Sequence, residues 1–264
     1  MDRIIILGGK AGVYFIAATM AVFGVQHFIY LQFVAAYIPA WIPWHVFWAC
    51  FTGLALIAAA VGIVVRKWDR WAATLLGSMI FLWVILLHTS RLAARPRDPA
   101  EWRGIFQALA MSGFAFVLAG TLVRTEESIK STRSPLAGGM NALAEIGTRL
   151  GPYFVAVSMV AFGVQHFIFA ELATAQVPVW IPGTVIGNYL SGTALLATGV
   201  GLLFQRTART AAALLGMLIF LSVILIHAPI VLAAPRFESD WCKALVMSGG
   251  GFLLAGTLPK RKET

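Results

Sequence analysis

The chain has 264 residues, of which 59% are hydrophobic and only 12% are charged, and its formal net charge at pH 7 is +9. A soluble protein of this composition would lack the polar residues needed to cover its surface, so soluble enzymes and soluble nucleic-acid-binding proteins are excluded. The composition predicts an all-α integral membrane protein, because helices satisfy every backbone polar group inside lipid. The lipid bilayer is therefore its first expected partner, and no nucleic acid is expected.

Apolar segments long enough to cross a bilayer follow one another along the chain. About 30 Å of hydrocarbon takes roughly 20 helical residues. In chain order the segments are 11–37, 45–65, 71–94, 104–123, 151–176, 184–204, 210–234 and 242–258. We predict eight transmembrane helices in two four-helix bundles, formed by residues 1–123 and 149–264, with residues 124–148 as a solvated cytoplasmic linker.

The second half of the chain repeats the first. The heptapeptide FGVQHFI occurs at residues 23–29 and again at 162–168, and RWAATLLG at 70–77 returns as RTAAALLG at 209–216. The paired positions keep a spacing of about 139 residues, which is typical of a duplicated domain. Since each unit has an even number of spans, the second unit enters the membrane from the same side as the first, which predicts parallel repeats.

Lysine and arginine concentrate on one side of the predicted spans. They lie mainly at both termini, in the linker and in the loops at residues 66–70 and 206–209. Short loops rich in these residues tend to stay cytoplasmic. We therefore expect a multi-pass protein of a bacterial-type inner (cytoplasmic) membrane with both termini cytoplasmic, and the net positive charge is a signal of topology.

Each unit carries two histidines inside its predicted spans. His27 and His88 both lie about 26 Å from the cytoplasmic ends of their helices, and His166 and His227 repeat this relation in the second unit. An ionisable side chain in a membrane helix is expected to face the bundle interior and to mark a functional site. The alternative is a structural hydrogen bond that holds the first and third helices together.

Other residues are candidates for the same two sites. Trp41 and Trp180 belong to PxWIP loops, which repeat at residues 39–43 and 178–182. We expect these tryptophans to form the lip of an outward-facing pocket, or to serve only as interfacial anchors. Arg91 lies one turn above His88 and has no counterpart in the second unit. Gln26 and Gln165 precede the first histidine of each unit and point about 100° away from it.

The order of these motifs resembles a known family. FGxxHF in the first helix, a PxWIP loop, a glycine near the start of the second helix, the LLG opening of the third helix and a histidine at its outer end are similar to the DoxX/DoxD-like membrane proteins. The likeness covers almost the whole chain as two tandem units. It implies a four-helix membrane bundle per unit and an association with membrane redox chemistry, because DoxD-type proteins are subunits of a thiosulfate:quinone oxidoreductase.

Three hypotheses of function follow. The first is a membrane subunit of a respiratory redox system whose paired histidines donate hydrogen bonds to a quinone near the outer leaflet. The second is a haem b binding subunit in which the same histidines ligate the iron. The third is a non-catalytic membrane anchor or assembly subunit of a larger complex.

Other features bear on all three hypotheses. We expect a subunit with redox partners rather than a self-sufficient enzyme, because the sequence has no flavin motif or CxxC, and no catalytic residue is predicted. A non-haem metal site is not expected, since two histidines without a matched carboxylate in both units leave an incomplete set of ligands.

Overall fold

A computed structural model describes residues 1–66, 68–122, 135–175, 177, 183–233 and 240–259. In the first half, the long apolar segments form α1 (Asp2–Ile29), α3 (His45–Val65), α4 (Asp69–Trp83) and α6 (Pro99–Thr121). Two short helices, α2 (Leu31–Tyr37) and α5 (Thr89–Ala94), follow α1 and α4. A π-helical turn, Val84–His88, joins α4 to α5 without a break.

The second half has the same order of elements. Its helices are α7 (Pro135–Ile168), α8 (Ala170–Ala175), α9 (Thr184–Leu202), α10 (Gln205–Ser222), α11 (Ala228–Ala233) and α12 (Asp240–Thr257). A second π-helical turn, Val223–His227, joins α10 to α11. The first predicted span, residues 11–37, is in fact two helices that meet at Tyr30. Helix α7 begins within the predicted linker, of which residues 124–134 lie outside the described residues.

Seven helical segments of the described chain are long and apolar enough to cross a membrane. They are Asp2–Ile29, His45–Val65, Asp69–Ala94, Pro99–Thr121, Gly138–Ile168, Thr184–Leu202 and Gln205–Leu232. The described residues form helices and no strands, as predicted, and the seven apolar helices fit a multi-pass membrane protein in contact with lipid. The eighth predicted span lies in α12, which is helical and mostly buried but is not among the seven, because Asp240, Lys243 and its run of glycines lower its hydropathy.

Helices pack in chain order within each half but also across the halves. Helix α1 packs on α3, α3 on α4 and α4 on α6, and α7, α9, α10 and α12 follow the same sequence. In addition, α6 packs along α7, and α12 packs along both α1 and α6. The predicted arrangement of two four-helix bundles is therefore not confirmed, because the first and last helices of each half also pack extensively on the other half.

Glycine pairs explain the close approach between the halves. A Cβ atom added at Gly12 of α1 would lie 2.4 Å from the carbonyl oxygen of Gly249 in α12. At the other junction, a Cβ atom added at Gly113 of α6 would lie 2.7 Å from the carbonyl oxygen of Gly151 in α7. Small residues let helix backbones approach closely and gain packing energy in a membrane, where hydrophobic association is weak.

In each half, a buried serine holds the last two long helices together. Ser112 Oγ donates a hydrogen bond of 2.8 Å to the carbonyl oxygen of Gly77, and Ser248 Oγ donates one of 3.0 Å to that of Gly216. These contacts tie α6 to α4 and α12 to α10. Helices α4 and α6 therefore form one firm wall of the first half, and the candidate site lies beside it.

Candidate functional site

A cavity of about 420 Å³ lies inside the first half of the molecule. Both His27 and His88 line it. Residues of α1, α2, α3, α4 and α6 line this space, and α3 packs on α4 beside it. The structure thus places the two histidines of the first unit around one cavity of the size that small-molecule sites usually have.

The ends of several helices meet at this cavity. His27 lies in the last turn of α1, and His88 ends the π-helical turn. Trp48 lies in the first turn of α3, and Arg103 and Gly104 lie near the start of α6. Since alternate helices run in opposite directions, these positions all fall at one end of the helices, as the equal depth of the two histidines predicted.

A hydrogen bond within α1 fixes the His27 ring. Its Nδ1 lies 2.7 Å from the carbonyl oxygen of Phe23, one turn earlier in the helix. The helix α3 approaches closely here, because a Cβ atom added at Gly53 would lie 2.7 Å from the Cβ of His27. A similar approach fills the space beside Gly24, where an added Cβ atom would lie 2.5 Å from Ile57. The space beside Gly24 is therefore filled by α3 and is not open to a ligand.

The position of His88 depends on the π-helical turn. A π turn inserts an extra residue into a helix and shifts the side chains that follow, and such turns are frequent at functional sites. The His88 ring packs over α6 at Gly104, where an added Cβ atom would lie 3.5 Å from its Nδ1. The turn thus directs His88 toward α6 and the cavity.

Tryptophans form an aromatic wall of the cavity. Trp48 and Trp83 pack edge to face, with ring centroids 6.1 Å apart and planes at 80°. The indole N–H of Trp83 is buried and has no hydrogen-bond partner. A buried donor without a partner costs free energy, on the order of 1–3 kcal/mol.

Two basic residues lie at the polar end of the cavity. Arg103 of α6 and Lys243 of α12 both line it, so the second half of the chain contributes to a site in the first half. Lys243 Nζ also lies 2.8 Å from Asp240 Oδ1. A second cavity, of about 470 Å³, shares Phe23, His27, Phe33, Val34 and Lys243 with the first and includes Gln26 and Tyr30. Gln26 thus lines the second cavity together with His27, but it does not line the first.

Arg91 is engaged outside the cavity. Its guanidinium donates to both carboxylate oxygens of Glu101, at 3.0 and 2.7 Å, and lies 3.4 Å from the ring centroid of Tyr37. Arg95 also pairs with Glu101, at 2.8 Å. Tyr37, in turn, lines the cavity. Arg91 therefore supports the cavity wall through Tyr37 and is not among the lining residues.

The first PxWIP loop does not place its tryptophan over the histidines. Trp41 is 63% exposed and does not line either cavity, whereas Ile42 beside it is buried. Ile42 packs in a small cluster with Ala35, Ile38 and Ala49. This placement fits an interfacial anchor better than a lip. Trp180, the candidate in the second loop, lies outside the described residues.

The second half keeps the histidines but changes their surroundings. His166 Nδ1 lies 3.1 Å from the carbonyl oxygen of Phe162, and His227 ends its own π-helical turn. Asn188, however, donates a hydrogen bond of 2.8 Å to the carbonyl oxygen of His166. The positions of Trp48 and Trp83 are taken by Gly187 and Ser222. The aromatic wall is therefore a feature of the first half.

Two further observations on the described residues concern an unpaired polar atom and possible metal ligands. The side-chain amide nitrogen of Gln165 is buried without a hydrogen-bond partner, as the indole of Trp83 is. No group of three or more histidine, cysteine, aspartate or glutamate side chains in this part of the chain is placed to hold a metal ion.

Comparison with protein-family models, curated proteins and solved structures gave no match.

Sequence reasoning missed several residues of the cavity. Trp48, Trp83, Arg103 and Lys243 were not among the predicted site residues. A signal for the tryptophans existed, since both differ from their repeat counterparts. No pattern in the sequence links Lys243 to the first unit, because its position follows from the packing of α12 between α1 and α6.

Proposed function

We propose that the chain is a DoxX/DoxD-like membrane subunit of a respiratory redox system and that its first unit binds a quinone-type molecule. The observation that carries this proposal is the shared cavity of His27 and His88. A quinone has a flat apolar ring with polar oxygen atoms at opposite edges, so it needs an apolar slot and polar groups at separate points. The aromatic wall and the two histidines meet this need.

Access from the membrane also supports the proposal. Tyr30 and Phe33 lie at the second cavity, next to His27, and are 45% and 66% exposed. Exposed aromatic side chains on a membrane helix contact lipid or its interface. A hydrophobic molecule dissolved in the bilayer can therefore reach His27 between α2 and α12 without crossing water.

The proposal includes a finer topology. We infer eight membrane crossings, with α12 as the eighth, in an inner membrane and with both termini cytoplasmic. The shielding of α12 by α1, α6 and α10 supports this, because a helix surrounded by protein crosses a membrane without the apolar surface that lipid contact demands. The cavity then lies toward the outer leaflet.

The test is to identify what the purified protein carries. We expect mass spectrometry of a solvent extract to find a quinone at substoichiometric to equimolar amounts, depending on losses to detergent. The variants His27→Leu and His88→Leu should reduce this amount severalfold. The matched variants His166→Leu and His227→Leu, in the second half, should retain it. A quinone content that is equal in all five proteins contradicts the proposal.

A second candidate function is favoured by one contact. Histidines that ligate a metal usually donate their other ring N–H to a carbonyl or carboxylate, and His27 Nδ1 is bonded in this way to Phe23. His27 and His88 would then hold a haem, which would supply one-electron chemistry when bound. An absorption spectrum of the same preparation decides the point: a Soret band supports haem, and a colourless protein that contains quinone rejects it.

A further inference from the structure

The direction of the hydrogen bond at His27 distinguishes two forms of a quinone-type ligand. The carbonyl oxygen of Phe23 can only accept a hydrogen bond, so the Nδ1 that lies 2.7 Å away must carry the proton. A neutral imidazole has one N–H and one bare nitrogen. The Nε2 of His27, on the opposite edge of the ring, is therefore an acceptor.

We expect the His27 imidazole to be neutral inside this cavity. Most lining residues are apolar, among them Met20, Leu56, Met79, Ile80 and Met111. An additional charge in such surroundings loses the solvation that water would provide. His27 thus presents a lone pair rather than an N–H to a bound molecule.

We propose that the cavity of the first unit selects the reduced, hydroxyl-bearing form of its ring ligand, a quinol, over the oxidised quinone. This inference rests on the proposed function and refines it. A quinol hydroxyl donates its hydrogen to His27 Nε2. A quinone carbonyl has no hydrogen to donate, and its lone pairs would face the lone pair of Nε2. This proposal differs from the expectation that His27 donates a hydrogen bond to a quinone.

The other polar groups of the cavity complement this arrangement. The guanidinium of Arg103 and the ammonium of Lys243, two residues that line the cavity, are donors. A hydroxyl oxygen accepts hydrogen bonds as well as donating one. A quinol therefore satisfies both an acceptor at His27 and donors elsewhere, whereas a quinone satisfies the donors alone.

The experiment compares the two redox forms of one small ring. The full-length protein is reconstituted in phosphatidylcholine nanodiscs under anaerobic conditions, and duroquinol and duroquinone are titrated by calorimetry, with empty nanodiscs as the background for partition into lipid. We expect duroquinol to bind more tightly by on the order of tenfold, since the quinone leaves a buried acceptor unpaired. Equal affinities, or tighter binding of duroquinone, overturn this inference and leave the proposed function standing. Binding of neither form overturns both.

Matched variants assign the preference to His27. His27→Phe keeps an aromatic ring but removes the acceptor, so the affinity ratio of the two forms should fall to near one. His166→Phe changes a histidine with the same helical hydrogen bond outside this cavity, and the preference should remain. A preference that survives His27→Phe contradicts the inference. His27→Gln, whose amide donates or accepts, provides the same comparison if the phenylalanine variant does not fold, and it too should lose the preference.

Discussion

Glu101 is a buried carboxylate that joins three elements at the polar end of the cavity. Its side chain is 3% exposed, and it pairs with Arg91 of α5 and Arg95 just beyond it. Arg91 also lies over the ring of Tyr37 in α2. Arg91 thus joins the Glu101 carboxylate to the Tyr37 ring, and these contacts fix the ends of α2, α5 and α6 relative to one another. The shape of the cavity near His88 depends on this junction.

The variant Glu101→Gln tests the importance of that junction. Removing the charge leaves the half-buried guanidinium of Arg91 without its counter-ion, and breaking a buried pair in this way costs about 3 kcal/mol. We expect a clearly lower midpoint of thermal unfolding in detergent. Asp98→Asn is the control, because Asp98 makes only an exposed pair with Arg95 at 3.7 Å and asparagine preserves its cap on Ala100. Equal midpoints for the two variants would contradict this role of Glu101.

Some residues of the cavity could be predicted from the sequence and others could not, and the difference has a physical reason. His27 and His88 could be predicted to meet because the rise per residue of a helix sets depth and a polar residue in a membrane segment points inward. Trp48, Trp83 and Lys243 could not, because their meeting depends on which helices pack together. The π-helical turn before His88 also has no sequence signal that distinguishes it from an α-helix.

At the scale of helices, small residues determine which pairs come together. The two junctions between the halves use the equivalent pairs Gly12 with Gly249 and Gly151 with Gly113. Seven of the eight predicted spans followed from apolar length alone, and each overlaps a helix that is long and apolar enough to cross a membrane. The break in the first span at Tyr30 did not, because a helix end inside an apolar run depends on tertiary packing. The shielding of α12 by α1, α6 and α10 did not follow either, because it depends on which helices pack together.

The substitution Gly12→Ala tests the junction of α1 with α12. The added methyl group would collide with the backbone of Gly249, 2.4 Å away, and such overpacking costs about 1–3 kcal/mol. We expect a lower midpoint of thermal unfolding. Gly9→Ala, three residues earlier on the same helix, is the matched control, because its added Cβ meets only ordinary contacts of 3.7 Å or more. A stability of Gly12→Ala equal to that of Gly9→Ala would argue against a close α1–α12 junction.

For the whole molecule, the charge distribution predicts which ends of the helices face the cytoplasm. Single cysteines are introduced at Arg97 and Gly138 after Cys50 and Cys242 are replaced by alanine. We expect a membrane-impermeant maleimide to label the Arg97→Cys protein in intact cells and the Gly138→Cys protein only after permeabilisation. An added side chain at Gly138 has nothing within 4 Å, so the cysteine there is accessible to the reagent. The reverse labelling pattern would show that the protein has the opposite orientation in the membrane.

The contacts between the halves also determine whether each half can fold alone. Helix α1 packs on α12, and α6 packs on α7, so residues 1–123 without their partner expose the glycine-lined faces of α1 and α6. Those faces are equivalent to the ones they normally contact, because Gly12 corresponds to Gly151 and Gly113 to Gly249. A separated first half can therefore bind a second copy of itself through Gly12 and Gly113.

We expect residues 1–123 expressed alone to purify as a homodimer or to be degraded, but not as a stable monomer. Co-expressed with residues 124–264, they should copurify one to one, because the native pairing restores both glycine junctions and adds Lys243 to the cavity. Native mass spectrometry from detergent measures both outcomes. Gly12→Ala in the first fragment should weaken the pairing, and Gly9→Ala should not. A monodisperse monomer of residues 1–123 would contradict this expectation and would show that the first unit folds without the second.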